Sequence, residues 1–212
     1  MEAILDLLQG SQGRTLVDGA SRQLGMDSKQ TTAAVTAALP LILGALKNNA
    51  SSEEGARGLM SAISDPRHSG GSVLDNLSSI LGGDSIDNDV MTDGAAILGH
   101  AFRGQQQNAA GAVSKTAGID MNKAMDLMKV AAPFVMAYLG KKSRESAVQG
   151  GSGLTDVLGG LLGNLGDAPL TAASRIQDFD NNDNTVDDIA EMLTGRGGGG
   201  LGSLVGGFLK NL

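Results

Sequence analysis

A chain of 212 residues with 41% apolar side chains, only 2% aromatic ones and no tryptophan must build its core from Ala, Leu, Val, Ile and Met. That set suits closely packed helices better than a β-sandwich. The net charge of −7 argues against nucleic acid or anionic lipid as the main partner, and the lack of cysteine excludes disulfides, thiolate zinc sites and a cysteine nucleophile.

The opening stretch, MEAILDLLQG, places Ile4, Leu5, Leu7 and Leu8 on a short helix ended by Gly10. It is acidic at Glu2 and Asp6, unlike the basic start of a secretory signal. No apolar run reaches the ~18–20 residues that span a bilayer, so the expected location is cytoplasmic. Leu16, Val17, Ala20 and Leu24 recur at helical spacing, with Gly25 placed as a C-terminal cap. Asp27 and Ser28 are N-cap candidates for the next helix, which runs to Lys47-Asn48-Asn49.

That helix, TTAAVTAALPLILGAL from Thr31 to Leu46, is apolar nearly all round and so must be buried. Pro40 removes a backbone donor and predicts a kink. A second copy, AMDLMKVAAPFVMAYL, spans Ala124 to Leu139. Pro133 matches Pro40, and Gly25/Gly118, Asp27/Asp120, Ala38/Ala131 and Leu46/Leu139 share the same offset of 93 residues. Two related helical units follow from this pattern.

Between the copies, Ser51-Ser-Glu-Glu54 has the form of a capping box and opens a helix through Ile63. Val73 to Leu81 predicts another short helix, closed by Gly82-Gly83. Ile97 and Leu98 match Ile4 and Leu5 in the second unit, followed by a helix over Ala109–Ala117. Lys141, Lys142 and Arg144 sit past the second central helix, where positive charge opposes its dipole. From Gln149 the chain turns glycine-rich. GGSGLTDVLGGLLGNLG is echoed by GGGGLGSLVGGFLKNL at an offset of 47. Each glycine costs a helix ~1 kcal/mol against alanine, so these segments predict a flexible tail whose leucines dock on the core or on a neighbouring molecule.

The runs SSEEGARGLMSAI, GGSVLDNLSSILGG and GAAILGHAFRGQQQNAAGAVSKTAGIDMNKAMDLMKVAAPFVMAYLGKKSRE resemble the YidB-like bacterial domain of unknown function (domain-of-unknown-function family 937). They are most similar to its longer, duplicated Bacteroidetes-type form, with an EF-hand-like C-terminal loop. The resemblance implies an all-helical fold and no established activity.

No catalytic constellation stands out. The two histidines, His68 and His100, have no third partner at ligand or triad spacing, and no GxSxG, GxGxxG after a strand, or GxxxxGK[ST] occurs. A helix-turn-helix is the alternative reading. GASRQLGMDSKQTTAAV and GAVSKTAGIDMNKAMDL have its turn glycine and following helix, offering Lys29, Gln30, Asn122 and Lys123 to nucleic acid.

Metal chemistry concentrates in QDFDNNDNTVDDIAE, residues 177–191. Asp178, Asp180 and Asn182 alternate, Asn184 follows, and Asp187-Asp188 open a helix, as in an EF-hand-like calcium loop. Asp187 as the closing carboxylate makes a compact loop similar to that of excalibur-type calcium domains. A second register runs from Asp180 through Asn182, Asn184 and Asp188 to Glu191. The usual turn glycine is missing in both; Asp183 stands there in the first, and tolerates the left-handed conformation better than Thr185 in the second.

The expectation is an all-α protein: a first helical unit over residues 1–90, a second over 91–148 packed on it through proline-kinked central helices, and a glycine-rich tail over 149–212. Its expected role is non-enzymatic, in self-association (a homo-oligomer) or in binding another protein. Calcium would order the tail and gate the docking of its apolar segments.

Overall fold

A computed structural model describes residues 10–65, 81, 87–145 and 151–162. They form seven helices: α1 Ser11–Leu24, α2 Ser28–Ala50, α3 Glu53–Ser64, α4 Asn88–Ala101, α5 Gln106–Ala117, α6 Met121–Glu145 and α7 Gly151–Leu162. Among the described residues there is no strand, so the fold is all-α. The helices expected at Ile4–Leu8 and at Val73–Leu81 lie outside the described residues, Leu81 excepted. α4 begins at Asn88 and so crosses the 90/91 division between the two expected units.

Local chemistry sets the helix ends. Gly25 (φ +59°) and Gly118 (φ +65°) take the left-handed conformation that glycine adopts at least cost, closing α1 and α5. The Asp27 carboxylate accepts from the Gln30 amide at 2.8 Å and caps α2. The expected capping box, Ser51 with Glu54, does not form; the N-cap lies one residue later, with Gly55 at the third helical position. Ser51 is spent at the end of α2, its hydroxyl donating to the Asn48 carbonyl at 2.6 Å. The N-cap of α3 is therefore Ser52, which accepts from the Gly55 amide at 3.1 Å.

α2 is the axis of the molecule. Every residue from Thr31 to Leu46 is buried, because α1, α3, α4, α5, α6 and α7 all pack on it. Ala34, Ala37, Ala38, Gly44 and Ala45 keep its surface low enough for neighbours on all sides. Three hydroxyls buried along it are hydrogen-bonded: Ser21 Oγ of α1 donates to Thr31 Oγ1 at 2.8 Å, Thr31 Oγ1 to the Asp27 carbonyl at 2.9 Å, and Thr36 Oγ1 to the Thr32 carbonyl at 2.7 Å. The apolar side chains of all seven helices join one core.

The two central helices carry their prolines without a break in helical structure. Each proline lacks an N–H, so the carbonyl four residues earlier loses its donor; these are Thr36 for Pro40 and Lys129 for Pro133. Gly94 of α4 sits against the freed Lys129 carbonyl, where any Cβ would collide with the oxygen. The proline in α6 and the glycine in α4 are thus one packing device.

The 93-residue offset is visible as reciprocal packing. α2 packs on α5 as α6 packs on α1, and α2 and α6 pack on each other. Gln30 Nε2 donates to the Gly118 carbonyl at 3.4 Å, and its counterpart Lys123 donates through Nζ to the Gly25 carbonyl at 2.9 Å. Each unit thereby caps the glycine turn of the other.

The tail is corrected in one part. Its first leucine–glycine segment is not a flexible tail but helix α7, which packs on α2, α3 and α6. Leu154, Leu158, Leu161 and Leu162 are buried, at i, i+4, i+7 and i+8. Each such burial contributes ~1.5–3 kcal/mol, enough to offset the glycine cost that would melt the isolated helix.

Candidate functional site

The described surface has a groove of about 660 Å³ between α3 and α4. Leu46 of α2 and Met136 of α6 form its floor, with Leu59 and Ile97 on its walls. Gly55, Gly58 and Ala62 of α3 and Ala96 of α4 keep the walls thin. The α4 residues, Asp93, Ala96, Ile97, His100 and Ala101, recur at i, i+3, i+4, i+7 and i+8, the stripe one helix offers another. Glu54, Asp65 and Asp93 place carboxylates along the lining, while His100 and Arg103 stand at the α4 C-terminal end. Such apolar clefts edged by a few polar groups are the usual form of a ligand or peptide site.

Asn49 fixes this geometry. Its side-chain amide donates to the His100 and Ala101 carbonyls at 3.1 and 2.9 Å, satisfying the C-terminal end of α4. Its Oδ1 accepts from Arg103 Nε at 3.2 Å, and its backbone carbonyl accepts from the Ser52 hydroxyl at 3.1 Å. One side chain and its carbonyl therefore tie the end of α2 to the start of α3 and the end of α4. The chain leaves α4 through Arg103 at φ +51° and Gly104 at φ +86°. Sequence reasoning took Lys47-Asn48-Asn49 only as a helix stop and missed this role. The one available signal was the Arg103-Gly104 pair just past the Phe102 cap of α4, a left-handed exit that needs a partner for the freed carbonyls.

Gln30 and Lys123, offered as base-reading side chains, are engaged at the glycine turns of the opposite unit. α2, which would enter a DNA groove, is buried throughout its length from Thr31 to Leu46. In the basic cluster, Lys142 donates to Glu145 at 2.9 Å and lies 5.9 Å from the Tyr138 ring. The hydrogen bond from Lys142 holds the Glu145 carboxyl below its ordinary range. The same bond, with Tyr138 adding to it, holds the Lys142 ammonium above its own. Both groups are solvated, and such pairs contribute little to stability. Asp178, Asp180, Asn182, Asn184, Asp187 and Asp188 lie outside the described residues. Among the described residues no group of three or more His, Asp or Glu side chains is placed to hold a metal ion. No helix among them is long and apolar enough to cross a membrane.

The fold and groove define an all-α bundle in which two related helix pairs cap each other around buried, proline-containing central helices. The chain belongs to the family described as bacterial protein of unknown function (DUF937), whose model matches residues 6–142. The match takes in α1 to α6 up to Lys142, and ends before α7 and the acidic loop. No curated protein and no solved structure matches the chain.

Proposed function

We propose that the protein is a non-enzymatic interaction module, self-associating or partner-binding, whose α3–α4 groove takes an amphipathic helical segment. The observation that carries this reading is the groove itself: an apolar floor between two helices, edged by charge and held open by small residues. Helix-in-groove recognition uses anchors at i, i+3, i+4 and i+7, and α4 offers a wall of matching spacing.

Gly58 allows a clean test, because a Cβ added there meets nothing within 4 Å. The probe is a labelled amphipathic helical peptide with leucines spaced as Leu154, Leu158, Leu161 and Leu162. Fluorescence anisotropy should show it binding the full chain, and Gly58→Glu should weaken that binding by about tenfold or more, which is ~1.4 kcal/mol. Equal binding to both proteins would overturn the proposed site.

The acidic loop adds a second element, calcium binding, supported by its sequence. Five aspartates fall within residues 178–188 and repel one another unless a cation or protonation intervenes. Asn182 in place of aspartate removes a charge from the ligand set, so affinity is placed near the weak end of the calcium range, ~10⁻⁴ M. Isothermal titration of the full chain should give binding heat that Asp178→Ala/Asp180→Ala removes; no heat at millimolar calcium refutes it.

A further inference from the structure

We propose that the α3–α4 groove is filled by the C-terminal segment of the same chain, residues 200–212, docked as a helix. The inference rests on the reading of the groove as a helix-binding site and names its occupant. Helix α7 shows what a segment of this composition does on this bundle. Its four buried leucines, Leu154, Leu158, Leu161 and Leu162, map at the 47-residue offset onto Leu201, Val205, Phe208 and Leu209. All four are apolar, and Gly159-Gly160 maps onto Gly206-Gly207. The second segment carries the docking face of α7, and α7 already holds its own place on α2, α3 and α6. The second copy needs another dry surface, and the groove supplies one along α3, the helix that α7 also touches.

Length and charge fit. α3 has 12 residues, or about 18 Å of helix, and a docked helix of residues 201–212 has the same length. Lys210 is the single charged side chain of residues 200–212, and the groove rim carries the exposed Glu54 carboxylate on the α3 side, with Arg103 beyond α4. Connectivity then selects the chain's own segment over that of a second copy. Residues 163–199 supply 37 residues of connection, long enough to reach any face of the bundle. A linker of that order holds its end at an effective concentration near millimolar, above the concentration of a second molecule in ordinary solution.

The chain has no cysteine, so a Gly58→Cys/Leu204→Cys variant of the full chain carries one reactive pair. A short bis-maleimide should join the pair within one molecule. Adding Val205→Asp/Phe208→Asp should slow that reaction by about tenfold or more. A product that is mainly a cross-linked dimer would place a second copy's segment in the groove and overturn the proposal. Cross-linking indifferent to the two aspartates would be random collision and would overturn it as well. The helical probe peptide separates the two readings. Expected is tighter binding, by about tenfold, when Val205→Asp/Phe208→Asp frees the groove. Binding unchanged by those substitutions but lost in Gly58→Glu refutes the occupant and leaves the groove standing. Binding indifferent to Gly58→Glu refutes the groove itself.

Discussion

Gly94→Ala is expected to destabilise the protein by about 1–3 kcal/mol, although alanine is the better helix former by about 1 kcal/mol. The reason is local. A Cβ at residue 94 would collide with the Lys129 carbonyl oxygen and carbon, and α4 packs chiefly on α6 through this face. The neighbour cannot give easily, because it is backbone within a helix whose next turn is fixed by Pro133. Gly99, five residues further along α4, has nothing within 4 Å of its would-be Cβ. Gly99→Ala should therefore stabilise by up to about 1 kcal/mol through propensity alone. Urea unfolding reads both as shifts in midpoint of opposite sign at unchanged slope. Equal shifts in the same direction would mean that Gly94 is not a packing position.

The contrast also marks how far this fold was legible in the sequence. Features encoded by neighbours along the chain were readable: the Asp27 cap, the Gly25 and Gly118 turns, and the burial of Thr31–Leu46 from its all-round apolarity. The repeat was readable because it needs only an offset. What needed three dimensions was not. Gly94 resembles any other glycine in an amphipathic helix until Pro133 frees a carbonyl 35 residues away. Asn49 looks like a helix stop until the end of α4, more than 50 residues later, returns to it. The α7 segment reads as too glycine-rich to hold a helix alone, and the sequence leaves open whether its leucines dock on the core or on a neighbour; their burial on α2, α3 and α6 is what offsets the glycine cost. Of the candidate sites, the groove was invisible because its two walls are far apart in sequence. The acidic loop was visible as a pattern of side-chain oxygens and lies outside the described residues.

Dividing the chain between Leu81 and Asp87 should give two fragments that do not fold alone and that assemble when mixed. Leu81 stays with the first, since it is buried against Gly19 of α1. Neither fragment can bury its own central helix. α2 relies on α4, α5, α6 and α7 from the other side of the cut, and α6 relies on α1, α2 and α3. Separated, each would expose the apolar faces of its central helix, and a contiguous apolar patch of that size drives association in water. The reciprocal bonds, Gln30 to Gly118 and Lys123 to Gly25, would be lost together, leaving both glycine-turn carbonyls without these donors. Circular dichroism should show little helix or aggregation for each fragment. The mixture should regain helix and unfold cooperatively, at a temperature that rises with concentration because assembly is now bimolecular. A first fragment that unfolds cooperatively as a monomer would show that the two units are independent domains merely in contact. The one continuous core and the crossing of α2 with α5 and α6 with α1 make folding a joint property of both halves.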